Sequence, residues 1–268
     1  MKTTIKGVRI AGIVCSVPET SHSVLNNSSS EADRQEAEKL TESIGVKERR
    51  IAPANFCTSD FAVHAAEKVM AQLGWAPETV DLLVFLTQGV DYPLPATACL
   101  IQHRLGLPTT TAAFDVGLGC SGYVYGLWMA SQLLAGSDSK RALFLCGDVS
   151  SKSFHDDSNA ASPLFGDAGS ATAIERDENA SPIYGVLGTD GSGGRHISVE
   201  IGASRHNWPP YLLNEHIPES ARNKGDLNMN GPEVFTFTLR GVPRLVTAIQ
   251  SYAETSLHEV DYVVFHPA

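Results

Sequence analysis

A cysteine at position 120 stands between a glycine-broken apolar segment and a long apolar run, in AAFDVGLGCSGYVYGLWMASQLLAG at residues 112–136. Glycines at 117, 119 and 122 permit a sharp turn and a close approach of another molecule to the backbone. At the first turn of a following helix, free N–H groups and the helix dipole would favour the thiolate of Cys120. The helix YVYGLWMASQLL is apolar nearly all round, which predicts a helix buried in the middle of the molecule with the nucleophile at the bottom of a pocket.

Two other interpretations of a cysteine in this setting are open. Free cysteine commonly acts as a small buried hydrophobe, and we retain that interpretation for Cys15, Cys99 and Cys146, whereas Cys57 in a predicted loop is undecided. The G-x-S-x-G elbow of α/β-hydrolases also places a nucleophile between a strand and a helix. Leu118 stands where that pattern requires its first glycine, so the elbow pattern fails on its first half.

A thiolate nucleophile needs a base or an orienting partner, and the chain contains nine histidines. His266 differs from the others because it follows VDYVVF, which has the pattern of a buried strand. The carboxyl ends of strands build the sites of α/β sheets. His64 and His103 fall within predicted helices, and any role is open for the histidines in predicted loops, which are His22, His155, His196, His206 and His216. The strand before it makes His266 the candidate partner of Cys120.

Strand-like and helix-like segments alternate along the chain, as in α/β proteins. A helix is predicted over residues 60–74, with Asp60 as N-cap and Gly74 as the stop. VDLLVFLTQG, AAFDVGL and RALFLCGD read as strands and ATACLIQHRLG as a helix. Residues 176–230 predict a long irregular region, either a surface excursion or a loop that shapes a pocket. A helix kinked or interrupted near Pro243 and a buried strand, VDYVVFHPA, are predicted to follow.

Composition restricts the classes of protein that fit. The chain has 268 residues, 43% of them hydrophobic and 19% charged, enough for one large core or two smaller ones. Its formal charge of −10 argues against nucleic acids and anionic membranes as main partners. No apolar run approaches the roughly 20 residues that cross a bilayer, and the start lacks a signal-peptide pattern, so we expect a cytoplasmic protein. Five scattered cysteines without a C-x-x-C pair suggest neither a disulfide framework nor a zinc site.

The segment FDVGLGCSGYVYGLWMASQLL resembles the active-site segment of β-ketoacyl-acyl carrier protein synthase III, a condensing enzyme of the thiolase superfamily. Further stretches are similar to that family in the same order along the chain. They are IGVKERRIA, YPLPATACLIQHRLG, LFGDAGSATAI, MNGPEVF and VVFHPA. The resemblance covers essentially the whole chain.

The resemblance implies roles for particular residues. Cys120 matches the nucleophile that accepts an acyl group as a thioester. His266 matches the histidine that helps to decarboxylate the malonyl partner and stabilises the enolate. Four further residues match positions that line the family's pantetheine tunnel: Met229, Gly231, Phe235 and Ala268. The implied substrates are acyl-CoA or acyl carrier protein thioesters, and no metal or redox cofactor is required.

The same resemblance implies a thiolase-like α/β fold, in which two similar halves form a layered αβαβα arrangement. The first half is expected over residues 1–178, and the second, over residues 179–268, is expected to be truncated after the catalytic histidine. A polar residue, usually asparagine, and a glycine-rich oxyanion segment follow that histidine in the family and are not in the given sequence. Family members dimerise through the sheet edge of the first half, so a homodimer is expected.

Departures from the family bear on the acyl donor. Members that use acyl-CoA primers commonly hold the adenine and phosphates with a tryptophan and two arginines. An ungapped placement puts Lys39, Ser43 and Asn159 at those positions. This difference favours a donor bound to a carrier protein, or an unusual acyl donor, over a short acyl-CoA primer.

Carrier proteins are acidic, so local cations should provide their docking site. Arg240 and Arg244 share one predicted helical face and are candidates, as are Arg49 and Arg50; a solvated helix face is the alternative. Two other functions remain open beside the condensing enzyme. One is an acyltransferase of the same fold that uses an oxygen or nitrogen nucleophile, and the other is a non-catalytic partner subunit.

Overall fold

The computed structural model describes residues 1–24, 35, 38, 39, 41, 42, 45–154, 162–207 and 225–266. The strands are β1 Lys2–Ile5, β2 Val8–Ser16, β3 Ser21–Ser23, β4 Glu48–Arg50, β5 Leu82–Leu86, β6 Ala112–Val116, β7 Arg141–Val149, β8 Asp167–Arg176, β9 Ile183–Val186, β10 Ile197–Ser198 and β11 Asn228–Met229. The helices are α1 Thr58–Leu73, α2 Thr97–Arg104, α3 Gly122–Ala135 and α4 Gly231–Ala253. Within these ranges, no helix combines the length and the apolar character needed to cross a membrane.

The central element is a five-stranded mixed sheet in the order β2-β8-β7-β5-β6. Strand β5 pairs in parallel with β6 on one side and β7 on the other, so Leu82 lies between Ala112 and Ala142. All five residues of β5 are buried, as its continuous apolar sequence predicts for a central parallel strand. Because the carboxyl ends of β5, β6 and β7 meet at one edge, the segments that follow them converge there.

Helices cover both faces of this sheet, and the alternation of side chains along β5 divides the core. Leu83 and Phe85 join a buried cluster with residues of α1 and α2. Leu82, Val84 and Leu86 point to the other face and pack in a second cluster with residues of α3. The sheet therefore holds α3, and with it the segment that carries Cys120, in a fixed position.

Helix α1 confirms the predicted helix over residues 60–74, but its first cap differs from the prediction. The N-cap is Cys57, and Asp60 accepts a hydrogen bond from the Cys57 N–H at 2.7 Å from within the first turn. An acidic side chain at N3 can close a helix start in this way. Gly74 is the C-cap and adopts the left-handed conformation, with φ 65°, as predicted for a stop.

Helix α3 is buried on one face only, which corrects the prediction of a helix surrounded by protein. Its buried positions, including Gly122, Gly126 and Ala130, repeat every four residues and pack against the sheet. Val124 and Leu133 on other faces are 58% and 44% exposed. One face of the sheet covers only part of the apolar surface of α3 in the described structure, and the rest stays exposed.

The predicted irregular region, residues 176–230, contains regular pairing where it is described. Strand β9 pairs antiparallel with β1, and β10 pairs antiparallel with β11. The β1–β9 pairing joins residues on either side of the boundary expected between 178 and 179, and that division into halves stays a prediction.

The C-terminal elements differ from the prediction in two ways. Helix α4 continues through Pro243, so the predicted interruption is wrong, whereas the kink stays a prediction. The predicted buried strand in VDYVVFHPA is not formed within residues 261–266, where Tyr262 and Val264 are 87% and 92% exposed. A strand needs a neighbour for its backbone groups, and no described strand pairs with this segment.

Candidate active site

Cys120 lies in a turn that connects β6 to α3, which we call the nucleophile turn, residues 117–121. The N–H of Gly122 donates to the carbonyl of Gly119 at 2.7 Å and closes this turn. The N-cap of α3 is Ser121, so Cys120 precedes the cap and does not lie in the first helical turn as predicted. Cys120 is exposed and makes no hydrogen bond to another described residue, so its thiol is accessible to a substrate.

Glycines let the backbone on both sides of Cys120 approach the segment at the end of β5. A Cβ on Gly122 would lie 2.4 Å from the Leu86 side chain. A Cβ on Gly119 would lie 2.7 Å from Oε1 of Gln88. Close packing therefore explains Gly119 and Gly122, whereas a Cβ on Gly117 would meet nothing within 4 Å. The Gln88 side chain lies against Gly119, the residue before Cys120.

A half-buried carboxylate supports the segment after β5. Oδ1 of Asp148, near the end of β7, accepts hydrogen bonds from Thr87 Oγ1 at 2.7 Å, Gln88 N at 2.8 Å and Gly89 N at 3.1 Å. Burial raises the pKa of Asp148, and these three donors oppose the rise. Sequence reasoning missed Asp148; its only signal was a polar residue at the end of the predicted strand RALFLCGD.

Cys146, two residues before Asp148, is a structural thiol. Burial, assisted by the negative charge of Asp148, raises the pKa of Cys146 to about 12. A thiol that stays protonated at neutral pH is a poor nucleophile. The position of Cys146 therefore fits the small-hydrophobe interpretation, whereas Cys15 and Cys99 are exposed, contrary to expectation.

Replacement of Asp148 by alanine should lower the free energy of unfolding by about 2 kcal/mol, because Thr87 Oγ1 and the Gln88 N–H lose their acceptor, while the Gly89 N–H keeps Thr87 Oγ1 at 2.9 Å. The asparagine variant retains a carbonyl oxygen and should lose only about 1 kcal/mol. Urea unfolding of the two variants at pH 7 measures this difference. Equal losses would show that the hydrogen bonds to Oδ1 do not support the segment.

A comparison of the wild type with Asp148→Asn also reports the titration of Asp148. Its pKa is raised in the folded state, so the folded state binds the proton more readily than the unfolded one. Proton binding by Asp148 therefore contributes to the stability of the folded state. This contribution is complete below the pKa of Asp148 in the unfolded state and is lost as pH rises through its pKa in the folded state. The stability of the wild type relative to Asp148→Asn should therefore rise as pH falls from 7 towards 4.

Three of the other predicted site residues lie at the start of α4. Met229 is half-buried in β11, Gly231 begins α4, and Phe235 is 59% exposed one turn later. His266 is exposed, and no hydrogen bond joins it to Cys120 among the described residues. The structure thus groups Met229, Gly231 and Phe235, and the roles of all these residues stay predictions. Ala268 lies outside the described residues.

The four candidate docking arginines fall into two kinds. Arg49 donates to Ser162 at 2.8 Å (carbonyl) and 2.7 Å (hydroxyl), and Arg50 donates to the Pro18 carbonyl at 3.2 Å. These hydrogen bonds tie Arg49 and Arg50 to the fold. Arg240 and Arg244 are exposed on α4, where no ion pair with a described residue engages them.

The mixed sheet, the helices on both faces and the turn that presents Cys120 define a thiolase-fold protein. The structure of 3-oxoacyl-(acyl-carrier protein) synthase from Burkholderia xenovorans LB400 superposes with a TM-score of 0.86 at 33% identity, over 97% of this chain and 73% of that one. A second structure, a 3-oxoacyl-(acyl-carrier-protein) synthase III, matches with a TM-score of 0.86 at 37% identity, over 95% of this chain and 76% of that one.

Sequence comparison agrees with the structural match. The family model for 3-oxoacyl-[acyl-carrier-protein] synthase III matches residues 114–191. The β-ketoacyl-[acyl-carrier-protein] synthase III of Symbiobacterium thermophilum is 34% identical over 98% of this chain and 77% of its own length. The chain belongs to the β-ketoacyl-acyl carrier protein synthase III family.

Proposed function

We propose that the chain is a condensing enzyme that loads an acyl group on Cys120 and joins it to a malonyl thioester to give a 3-oxoacyl product. The observation that supports this most directly is the exposed thiol of Cys120 in a glycine turn ahead of α3, in a member of the synthase III family. In this proposal, fatty acid synthesis begins with the product of that condensation.

The first half-reaction transfers the acyl group. The sulfur of Cys120 attacks the carbonyl carbon of the donor thioester, a new C–S bond forms, and the donor C–S bond breaks. The donor thiol leaves with the proton released by the cysteine. Because the acyl-enzyme separates the two substrates in time, ping-pong kinetics should result.

The second half-reaction forms the carbon–carbon bond. The malonyl carboxylate leaves as carbon dioxide, and its electron pair becomes the enolate that attacks the acyl carbonyl on Cys120. The C–S bond of the acyl-enzyme then breaks, Cys120 leaves as a thiolate, and a proton from solvent restores the thiol. We assign His266 a hydrogen bond to the enolate oxygen, which would stabilise charge that develops in the transition state. The electron pair comes from decarboxylation, so the scheme uses no metal or redox cofactor.

Release of carbon dioxide tests the reaction class. Labelled malonyl thioester, incubated with the acylated protein, should yield carbon dioxide and a 3-oxoacyl product in equal amounts. Acyl transfer to an oxygen or nitrogen nucleophile without carbon dioxide would favour the acyltransferase alternative. An absence of both acylation and release would favour a partner subunit.

We further propose that an acyl carrier protein presents the substrates and docks on the surface of α4. Arg240 and Arg244 are one helical turn apart and exposed. Arg244 also lines an open cleft of about 450 Å³ with Lys2, Thr247 and Ser251. Positive charge on this surface would steer an acidic partner.

Charge reversal tests this docking surface. The double variant Arg240→Glu/Arg244→Glu should raise KM about tenfold for a carrier-protein thioester and leave kinetics with a small N-acetylcysteamine thioester unchanged. The double variant Lys68→Glu/Lys140→Glu is the matched control, because it changes the net charge by the same amount and both lysines are exposed outside α4, Lys68 on α1 and Lys140 just before β7. An equal effect of both replacements would mean that net charge, not this surface, governs the encounter.

We also propose that the protein is a homodimer in the cytoplasm. Strand β6 is an edge of the five-stranded sheet, so one side of its backbone has no strand partner in the described structure. Edge strands are suited to pairing with a second chain. Pairing of β6 with its symmetry mate would extend the sheet across two subunits.

A further inference from the structure

Gln88 is the side chain that packs against the backbone next to the nucleophile. Strand β5 ends at Leu86, and the N–H of Thr87 donates to the Val116 carbonyl at 3.2 Å, which keeps the two segments adjacent past their strands. A Cβ on Gly119 would lie 2.7 Å from Oε1 and 3.3 Å from Nε2 of Gln88. The amide therefore occupies the space that a side chain at position 119 would need, beside Cys120.

The backbone of Gln88 is fixed, while its amide is free. The Gln88 N–H donates to Asp148 Oδ1 at 2.8 Å, and both neighbours, Thr87 and Gly89, donate to the same oxygen. The side chain is exposed and its amide makes no hydrogen bond with any residue in the described part of the chain. A free donor and a free acceptor thus lie beside Gly119, the residue that precedes the nucleophile.

The chemistry of this amide bears on which acyl group it would accept. An acyl chain bound to Cys120 would displace water from nearby polar groups. An amide that loses water without gaining a hydrogen bond is penalised, so a plain alkyl chain would be a poor neighbour for Gln88. A hydroxyl or oxo group near the thioester would replace the lost water.

We propose that Gln88 is a specificity-determining residue that favours acyl groups with a hydroxyl or oxo substituent close to the thioester carbonyl. The proposal rests on the proposed acylation of Cys120. It differs from a purely structural role, in which Gln88 would only support the nucleophile turn. Loss of a support would slow acylation by every donor alike, whereas loss of a hydrogen bond would slow only the substituted donor.

Matched donors separate these roles. Wild type, Gln88→Leu and Gln72→Leu are incubated with the N-acetylcysteamine thioesters of butyrate and 3-hydroxybutyrate, and acylation of Cys120 is followed by intact mass. The ratio of the 3-hydroxybutyryl rate to the butyryl rate should fall about five- to tenfold in Gln88→Leu. It should not change in Gln72→Leu, which alters an exposed glutamine on α1.

Alkylation provides a second measurement that does not require an acyltransfer activity. Iodoacetamide and 3-iodo-2-methylpropene place groups of similar planar shape, one polar and one apolar, on the sulfur of Cys120; iodide leaves and the thiol proton passes to the buffer. Peptide mass spectrometry separates Cys120 from the other exposed cysteines. The ratio of the two alkylation rates should also fall in Gln88→Leu and stay constant in Gln72→Leu.

The two measurements distinguish failure of this proposal from failure of the proposed function. Acylation of wild type with rate ratios unaffected by Gln88→Leu, or with both donors slowed equally, overturns the role of Gln88 and leaves the condensing enzyme intact. If neither thioester acylates wild type but the alkylation ratio falls, the proposed function fails and the hydrogen-bonding role of Gln88 at Cys120 is supported.

Discussion

Cys120→Ala should abolish acyl-enzyme formation and lower condensation at least about a thousandfold, because the alanine cannot form the thioester that joins the two half-reactions. Cys146 cannot substitute, since burial and Asp148 raise the pKa of its thiol to about 12. Intact mass after incubation with an acyl thioester measures the first step. Product formation with a malonyl thioester measures the whole reaction.

Cys99→Ala is the matched control for this replacement. Cys99 is exposed like Cys120 but lies on α2, so its loss should leave both the mass increase and the turnover unchanged. An adduct that persists in Cys120→Ala and disappears in Cys99→Ala would identify Cys99 on α2 as the nucleophile and overturn the assignment of Cys120. Turnover without any adduct would argue for direct transfer and against ping-pong kinetics.

Gly126→Ala should lower the free energy of unfolding by about 1–3 kcal/mol through overpacking. A Cβ at this position would lie 2.3 Å from the Phe144 ring and 3.2 Å from Leu86, and both side chains are buried in the core. Alanine elsewhere within a helix is favoured over glycine by about 1 kcal/mol. Gly126→Ala is therefore less stable than the wild type only if the cost of the contacts with Phe144 and Leu86 exceeds this gain in helix propensity.

Gly241→Ala should not lower the free energy of unfolding, in contrast to Gly126→Ala. Gly241 lies inside α4, where the atoms nearest to an added Cβ belong to the Phe237 ring, at an ordinary distance of 3.7 Å or more. Its replacement should be neutral or stabilising by up to about 1 kcal/mol. Urea unfolding of both variants makes the comparison, and a stable Gly126→Ala protein would mean that α3 can move away from the sheet without cost.

The position of the nucleophile turn between β6 and α3 could be predicted from the sequence. Local patterns sufficed to place β5, β6, α3 and the cysteine between strand and helix, because apolar periodicity and glycine punctuation are local properties. The resemblance of ordered motifs also indicated the thiolase fold and the family, both of which the comparisons confirmed.

Errors arose where one segment depends on what covers it. The apolar sequence of α3 predicted burial on every face, and VVFHPA predicted a buried strand, yet Val124 and Val264 are largely exposed. Burial is a relation between layers, so periodicity shows that a face is apolar without showing which element packs on it. The exposure of Cys99 belongs to the same class of error.

The sequence by itself determined the types of the main elements, the glycine turn and the cysteine that it presents, since each depends on residues within a few positions. Only the tertiary structure decided that Asp148 supports Gln88 and that Gln88 lies against Gly119. Asp148 and Thr87 are 61 positions apart, and their hydrogen bond exists because parallel pairing brings the ends of β5 and β7 to one edge of the sheet. Strand register, which brings distant residues together, is set by the packing of whole layers and cannot be deduced from any single segment.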